Sequence, residues 1–194
     1  MPYRARAALR AAVAAKLLTT IALDRAYLAE LQGDAEQAAG YASRALAEAG
    51  EHEWMLASHV CGYLSLAEWM RGRLTQAEQL LSSTIAQWRA AGEHALAARG
   101  CYHFGQIQRA QGGLDAALGT YQQAVDLAAV PGRPHLPPVG TGYVGMAEIA
   151  HQRGELDAAF RHVTEGIPLT RQSAHTQLLA TGLATLAWIR AGPR

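Results

Sequence analysis

The residues of this chain that could do chemistry fall into three small constellations. Gly140-Thr141-Gly142-Tyr143-Val144-Gly145 matches the G-x-G-x-x-G spacing that cradles a dinucleotide pyrophosphate. That chemistry needs a parallel strand before the glycines and a helix after them. The preceding stretch, Pro131-Gly132-Arg133-Pro134-His135-Leu136-Pro137-Pro138, is too proline-rich for a central strand. The expectation is a flexible loop over 130–142 leading into a close-packed helix. His59-x-Cys61 and Cys101-x-His103 carry zinc-ligand residue types. Residues two apart on a helix point about 200° apart, so one helix cannot aim both at one metal. No metal is expected, and Cys61 and Cys101 read as small apolar residues inside helices. No G-x-S-x-G or H-E-x-x-H occurs, and the single lysine, Lys16 in VAAKLL, rules out a phosphate-binding G-x-x-x-x-G-K-[ST] loop. Glu51, Glu53, Glu155 and Asp157 sit where helices should begin, where the helix dipole favours acids. No cofactor and no catalytic residue is predicted, and the reading is of a binding protein.

The elements that would position such residues are helical. Half of the 194 residues are apolar, and the commonest is alanine. Good helix formers fill most of the rest, and no segment alternates as a strand does. The formal net charge is +1, so no global field attracts nucleic acid or an anionic membrane. The N-terminal MPYRARAALRAAVAAKLL is too interrupted by charge for a signal-peptide core or a membrane span. Two cysteines make no disulfide framework, and the expected compartment is a reducing cytoplasm.

Four segments repeat. Leu31-Gln32-Gly33-Asp34-Ala35-Glu36-Gln37-Ala38 aligns with Met70–Ala77, Ala110–Ala117 and Gln152–Ala159. Each joins a hydrophobic helix end to a turn glycine and the start of a new helix. Glycine suits the turn because it takes positive φ without a Cβ clash. The closing alanines, Ala38, Ala77, Ala117 and Ala159, are small because two helices should cross there. A period near forty residues means helix pairs that bury their faces only by stacking. The expected fold is an all-α, right-handed superhelical α-solenoid of about four helix pairs plus a terminal helix. It is read as one domain over 1–194, with repeats at about 7–49, 50–91, 92–130 and 141–171. A last helix at 172–191 runs up to a further turn glycine, Gly192. That last helix leaves Leu179, Leu183, Leu186 and Trp188 without a partner helix. The expectation is therefore a piece of a longer protein, or a lone capping helix.

The pattern Gly…Leu-Asp-x-Ala…Tyr-x-x-Ala at Gly105–Ala124 resembles tetratricopeptide repeats. The longer units Ala26–Leu46 and Gly142–Thr170 resemble the sensor region of maltose-activator-type LuxR-family transcriptional regulators, and the resemblance covers residues 7 to 191. It implies a cytoplasmic bacterial segment whose repeats receive a small-molecule inducer or a regulatory protein and control self-association. The ATP-binding and DNA-binding modules of that family have no counterpart in this sequence, so this segment is expected to contact neither nucleic acid nor membrane. The alternative is a free-standing scaffold that binds a peptide of a partner protein.

In tetratricopeptide-like stacks the first helix of each pair lines the concave face. Counting back from the turn glycines places Tyr27, His59, Trp69, Arg99, Tyr102, Gln106, Arg109, Glu148 and His151 there as candidate ligand- or partner-binding residues. Aromatic rings supply contact area, and arginine clamps a carboxylate or phosphate with its fork of donors.

Overall fold

A computed structural model describes residues 2–48, 54–129, 137–172 and 176–191 of the chain. All regular structure among them is helical. The helices are α1 (Pro2–Leu31), α2 (Ala35–Glu48), α3 (Trp54–Met70), α4 (Leu74–Ala90), α5 (His94–Ala110), α6 (Leu114–Ala128), α7 (Val139–Gln152), α8 (Leu156–Gln172) and α9 (Thr176–Ala191). They form four helix pairs and a terminal helix, the all-α repeat architecture expected. Among the described residues no helix is long and apolar enough to cross a membrane. The chain packs as two compact units, residues 1–84 and 85–194.

One piece of backbone chemistry makes the turns. Gly33, Gly72, Gly112 and Gly154 each close a helix with φ between 75° and 86°. In each case the glycine N–H bonds the carbonyl three residues back, and the next N–H reaches five back. Gly112 N–H to Arg109 O is 3.0 Å and Gly113 N–H to Gln108 O is 2.9 Å. This pair of bonds satisfies carbonyls that a helix end would otherwise orphan. The residue after the glycine then starts the next helix by accepting from the alanine four positions on, as Gly113 O does from Ala117 N–H at 2.9 Å. Asp34 adds a side-chain cap, accepting from Gln37 N–H at 3.0 Å. Glu155 and Asp157 stand at the start of α8 as expected, whereas Glu51 and Glu53 lie outside the described residues.

The structure adds a fifth turn of the same kind at Gly92, φ +77°, between α4 and α5. Its signal is present in the sequence, since Ala97 follows Gly92 at the same interval as Ala117 follows Gly112. All five of these alanines, including Ala38, Ala77 and Ala159, are at most 2% exposed. A longer side chain there has no space to enter. Ala117→Leu is expected to destabilise the 85–194 unit by about 1–3 kcal/mol through overpacking, read as a lower urea midpoint.

In the 1–84 unit, α1 packs on α2 and α3 through small residues. Ala26, Ala29, Ala38, Ala42, Ala45 and Ala67 form the core with Val60 and Leu64. At the end of α3, Glu68 is buried and held by Arg71 at 2.9 Å and Arg73 at 3.2 Å, and Arg71 also reaches Glu36 at 2.9 Å. A buried carboxylate is tolerable only when its lone pairs are so occupied.

In the 85–194 unit, two expectations are corrected. The stretch expected to stay irregular through Gly142 ends earlier, because α7 starts at Val139 and contains the whole Gly140–Gly145 motif. Residues 130–136 of that stretch lie outside the described ones. The glycines are packing surfaces, not a phosphate loop. A Cβ on Gly140 would sit 2.6 Å from Thr170 N, and one on Gly142 would sit 2.7 Å from Tyr121 O. Helices α6 and α8 approach α7 this closely because those side chains are missing. The second correction concerns α9, which starts at Thr176, while Gln172 still belongs to α8. Leu179 and Leu186 do find partners, packing with Val163, Ile167 and Ile189, whereas Leu183 and Trp188 stay exposed. Gly192, expected to make a further turn, lies outside the described residues.

Candidate functional site

The first helices of the pairs form their own row in the 85–194 unit. Helix α5 packs on α7, and α7 on α9, whereas α6 and α8 make no such contact among the described residues. Residues three apart share a helix face. Six and three positions before Gly112 stand Gln106 and Arg109, and the same positions before Gly154 hold Glu148 and His151. The repeat register therefore delivers these four side chains to neighbouring places on one row.

Three of them close a ring of charge-assisted contacts. Gln106 Nε2 donates to Glu148 Oε2 at 2.7 Å. Arg109 donates to Gln106 Oε1 at 2.7 Å and pairs with Glu148 Oε1 at 3.0 Å. Each member fixes the other two, so the guanidinium plane is preorganised. Gln106 is buried and the Glu148 side chain is 9% exposed, while the Arg109 side chain keeps 29% of its surface in solvent. Arginine carries five donors in a rigid fork, so N–H groups remain for an incoming acceptor.

Two tyrosines floor this ring. Tyr102 is buried, with Thr181 and Gln106 as hydrogen-bonding neighbours. Its ring centroid lies 5.9 Å from that of Tyr121. Tyr121 reaches the row from α6 through a slot between two glycines. A Cβ on Gly145 would stand 2.6 Å from Tyr121 Cδ1, and one on Gly105 would stand 2.7 Å from Tyr121 Cζ. Burial, then the nearby Glu148 charge, pushes both phenols well above the usual tyrosine range. Both stay protonated and serve as hydroxyls. Among the described residues the buried Tyr121 Oη has no hydrogen-bond partner.

Beside the ring, His151 stacks on Trp188 of α9, with centroids 6.3 Å apart and planes 29° apart. Trp188 is exposed, so the pair presents a flat aromatic face next to Arg109's row.

The structure thus brings Tyr102, Gln106, Arg109 and Glu148 together and sets His151 on the same row. Arg99 is half-buried on α5 and takes no part in the ring. Tyr27, His59 and Trp69 belong to the 1–84 unit. Tyr27 is edge-on to Tyr63 at 5.8 Å, His59 Nδ1 is 2.8 Å from Met55 O, and Trp69 is half-buried near the end of α3. Trp188 and Tyr121 are not among the candidates that the sequence offers. Tyr121 is the tyrosine of the Tyr-x-x-Ala pattern, but nothing local says that it crosses to the neighbouring pair. The described residues contain no group of three or more His, Cys, Asp or Glu side chains able to hold a metal ion.

Both cysteines are free. Burial pushes the Cys101 thiol up to about 11, against a smaller opposite pull from Arg89, and also raises Cys61. A thiol raised in the folded state contributes stability below the ordinary value of 9.0, and that contribution is lost as pH rises from there to about 11. At about pH 8 a thiol-specific reagent should therefore modify half-buried Cys61 well before Cys101, because the thiolate is the nucleophile. Equal labelling rates in the folded protein would contradict the burial of Cys101.

This arrangement offers fixed donors, acceptors and ring faces, which are the means of recognition. The solved structures that it resembles are repeat proteins. BtubC (BKLC) from P. vanneervenii superposes with a TM-score of 0.67 at 16% identity, covering 95% of this chain and 76% of that one. The nearly identical TPR-like repeats described for a Podosopora anserina kinesin light chain give 0.62 at 16% identity, covering 91% and 94%. A variant form of those repeats gives 0.61 at 16% identity, covering 88% and 84%. No curated protein matches the chain. The family model described as the MalT-like TPR region matches residues 19–192, and with the helix pairs, turn glycines and crossing alanines in place, the chain belongs to that family of tetratricopeptide-like repeat regions.

Proposed function

We propose that this chain is the non-catalytic sensor segment of a LuxR-type transcriptional regulator. It binds an inducer or a regulatory protein on the row of first helices in the 85–194 unit. The observation that carries this reading is the Gln106–Glu148–Arg109 ring, which holds an arginine ready beside the His151–Trp188 face. Within it Arg109, His151 and Trp188 make the contacts, while Tyr102, Gln106 and Glu148 hold Arg109 in place. Such a partly exposed, preorganised donor set loses little conformational freedom on binding. The match to the MalT-like TPR region supports the repeat class on which this reading builds.

The test is binding measured by titration calorimetry, with small-molecule and peptide panels on the same protein. Arg109→Ala and Trp188→Ala are expected to weaken the ligand found by roughly tenfold each, about 1.4 kcal/mol, with the fold intact by circular dichroism. Unchanged affinity in both variants would place the binding surface elsewhere.

A further inference from the structure

Helix α1 has two apolar faces. One carries Ala22, Ala26 and Ala29 into the core of the 1–84 unit. The other, about 150° away around the helix, carries Val13, Leu17 and Ile21, which are 60%, 59% and 38% exposed. Four-residue spacing keeps these three on one stripe, and Leu28 and Leu31 extend it along the same side. An exposed apolar stripe of this length on a helix is a docking surface rather than scattered exposure.

We propose that this stripe is an isologous dimer interface, in which α1 packs antiparallel against α1 of a second copy with Leu17 on the two-fold axis. The charges select this occupant. Arg10 lies seven residues before Leu17 and Asp24 seven residues after it, both exposed and both on the stripe. A two-fold axis through Leu17 sets each Arg10 opposite the second copy's Asp24, and each Val13 opposite its Ile21. The same stripe is therefore its own complement in shape and in charge, as a closed two-fold contact requires. Parallel pairing would set Arg10 against Arg10 and Asp24 against Asp24, which is repulsive at both ends. Among the described residues neither Arg10 nor Asp24 has an ion-pair partner within the chain, so both are available to the second copy.

Sedimentation equilibrium of the 194-residue chain tests this. A reversible monomer–dimer equilibrium is expected, and Leu17→Glu should abolish it while helicity by circular dichroism stays unchanged. Because the axis doubles every contact, Arg10→Glu alone or Asp24→Arg alone should weaken the dimer by roughly tenfold at low salt. The two together should restore it. Leu17→Cys should cross-link the dimer through the new thiol under oxidation, and Leu28→Cys should not. A chain that is monomeric throughout, a dimer that survives Leu17→Glu, a charge-swapped pair that fails to recover, or cross-linking through Leu28→Cys would each overturn the proposal.

Discussion

Replacing Tyr121 with Ala is expected to cost the 85–194 unit about 3–5 kcal/mol, the scale of a core site emptied of an aromatic ring. The ring is fully buried and lies against Gly105 on α5 and Gly145 on α7. From α6 it fills the gap between these two helices. The surrounding backbone is helical on both sides and cannot collapse into the space it leaves. Urea unfolding followed by circular dichroism reads the loss directly. Tyr121→Phe separates packing from polarity. Since the hydroxyl has no partner among the described residues, its removal should be neutral or slightly stabilising. Gly145→Ala should cost about 1–3 kcal/mol in the native background, because its Cβ meets the ring at 2.6 Å. That cost should vanish in the Tyr121→Ala background, where the obstacle is gone. A cycle with no coupling between the two sites would refute the slot.

The second large effect is expected at Glu148. Removing one member of a buried ion pair strands its partner, which typically costs about 3–5 kcal/mol when both are fully buried. Here the Arg109 side chain is 29% exposed and water screens it, so Glu148→Ala should cost less, about 1–3 kcal/mol. Gln106 loses its acceptor in the same step, because its Nε2 donates to Glu148 Oε2. Glu148→Gln keeps the volume and one acceptor, and should recover part of the stability. Replacing Glu148 and Arg109 together with Leu should cost less than Glu148→Ala alone, since no charge is then left unpaired. If the double variant is the less stable, the ring contributes net stability beyond the mutual neutralisation of its charges. Under the proposed function, Glu148→Gln should also weaken ligand binding, because a freed guanidinium must be ordered again at each binding event.

Both effects lie where local sequence stops being informative. The glycine–alanine interval alone locates the turns, and it does so for a local reason. A left-handed residue closing one helix and a small residue one turn into the next belong to a single stretch of backbone. Gly92 obeys the same interval, although it lies between pairs rather than within one. The repeat register likewise puts Gln106, Arg109, Glu148 and His151 on equivalent helix faces, whatever those faces go on to meet.

The sequence by itself determined the helices, the turns, the crossing alanines and the face on which the candidate residues stand, because hydrogen bonding and amphipathic spacing act within a few residues. Only the tertiary structure decided what those faces touch. Gln106 and Glu148 are 42 residues apart in the chain, and their contact depends on the rise and rotation between stacked helices. The same rotation buries Tyr102 and Gln106 as supports and leaves Arg109 partly in solvent. It also brings Trp188 over His151. The motif at Gly140–Gly145 shows the difference most plainly. Its spacing fits a phosphate loop, but its surroundings in space are Tyr121, Thr170 and Val125, and close packing against them is what its missing side chains serve.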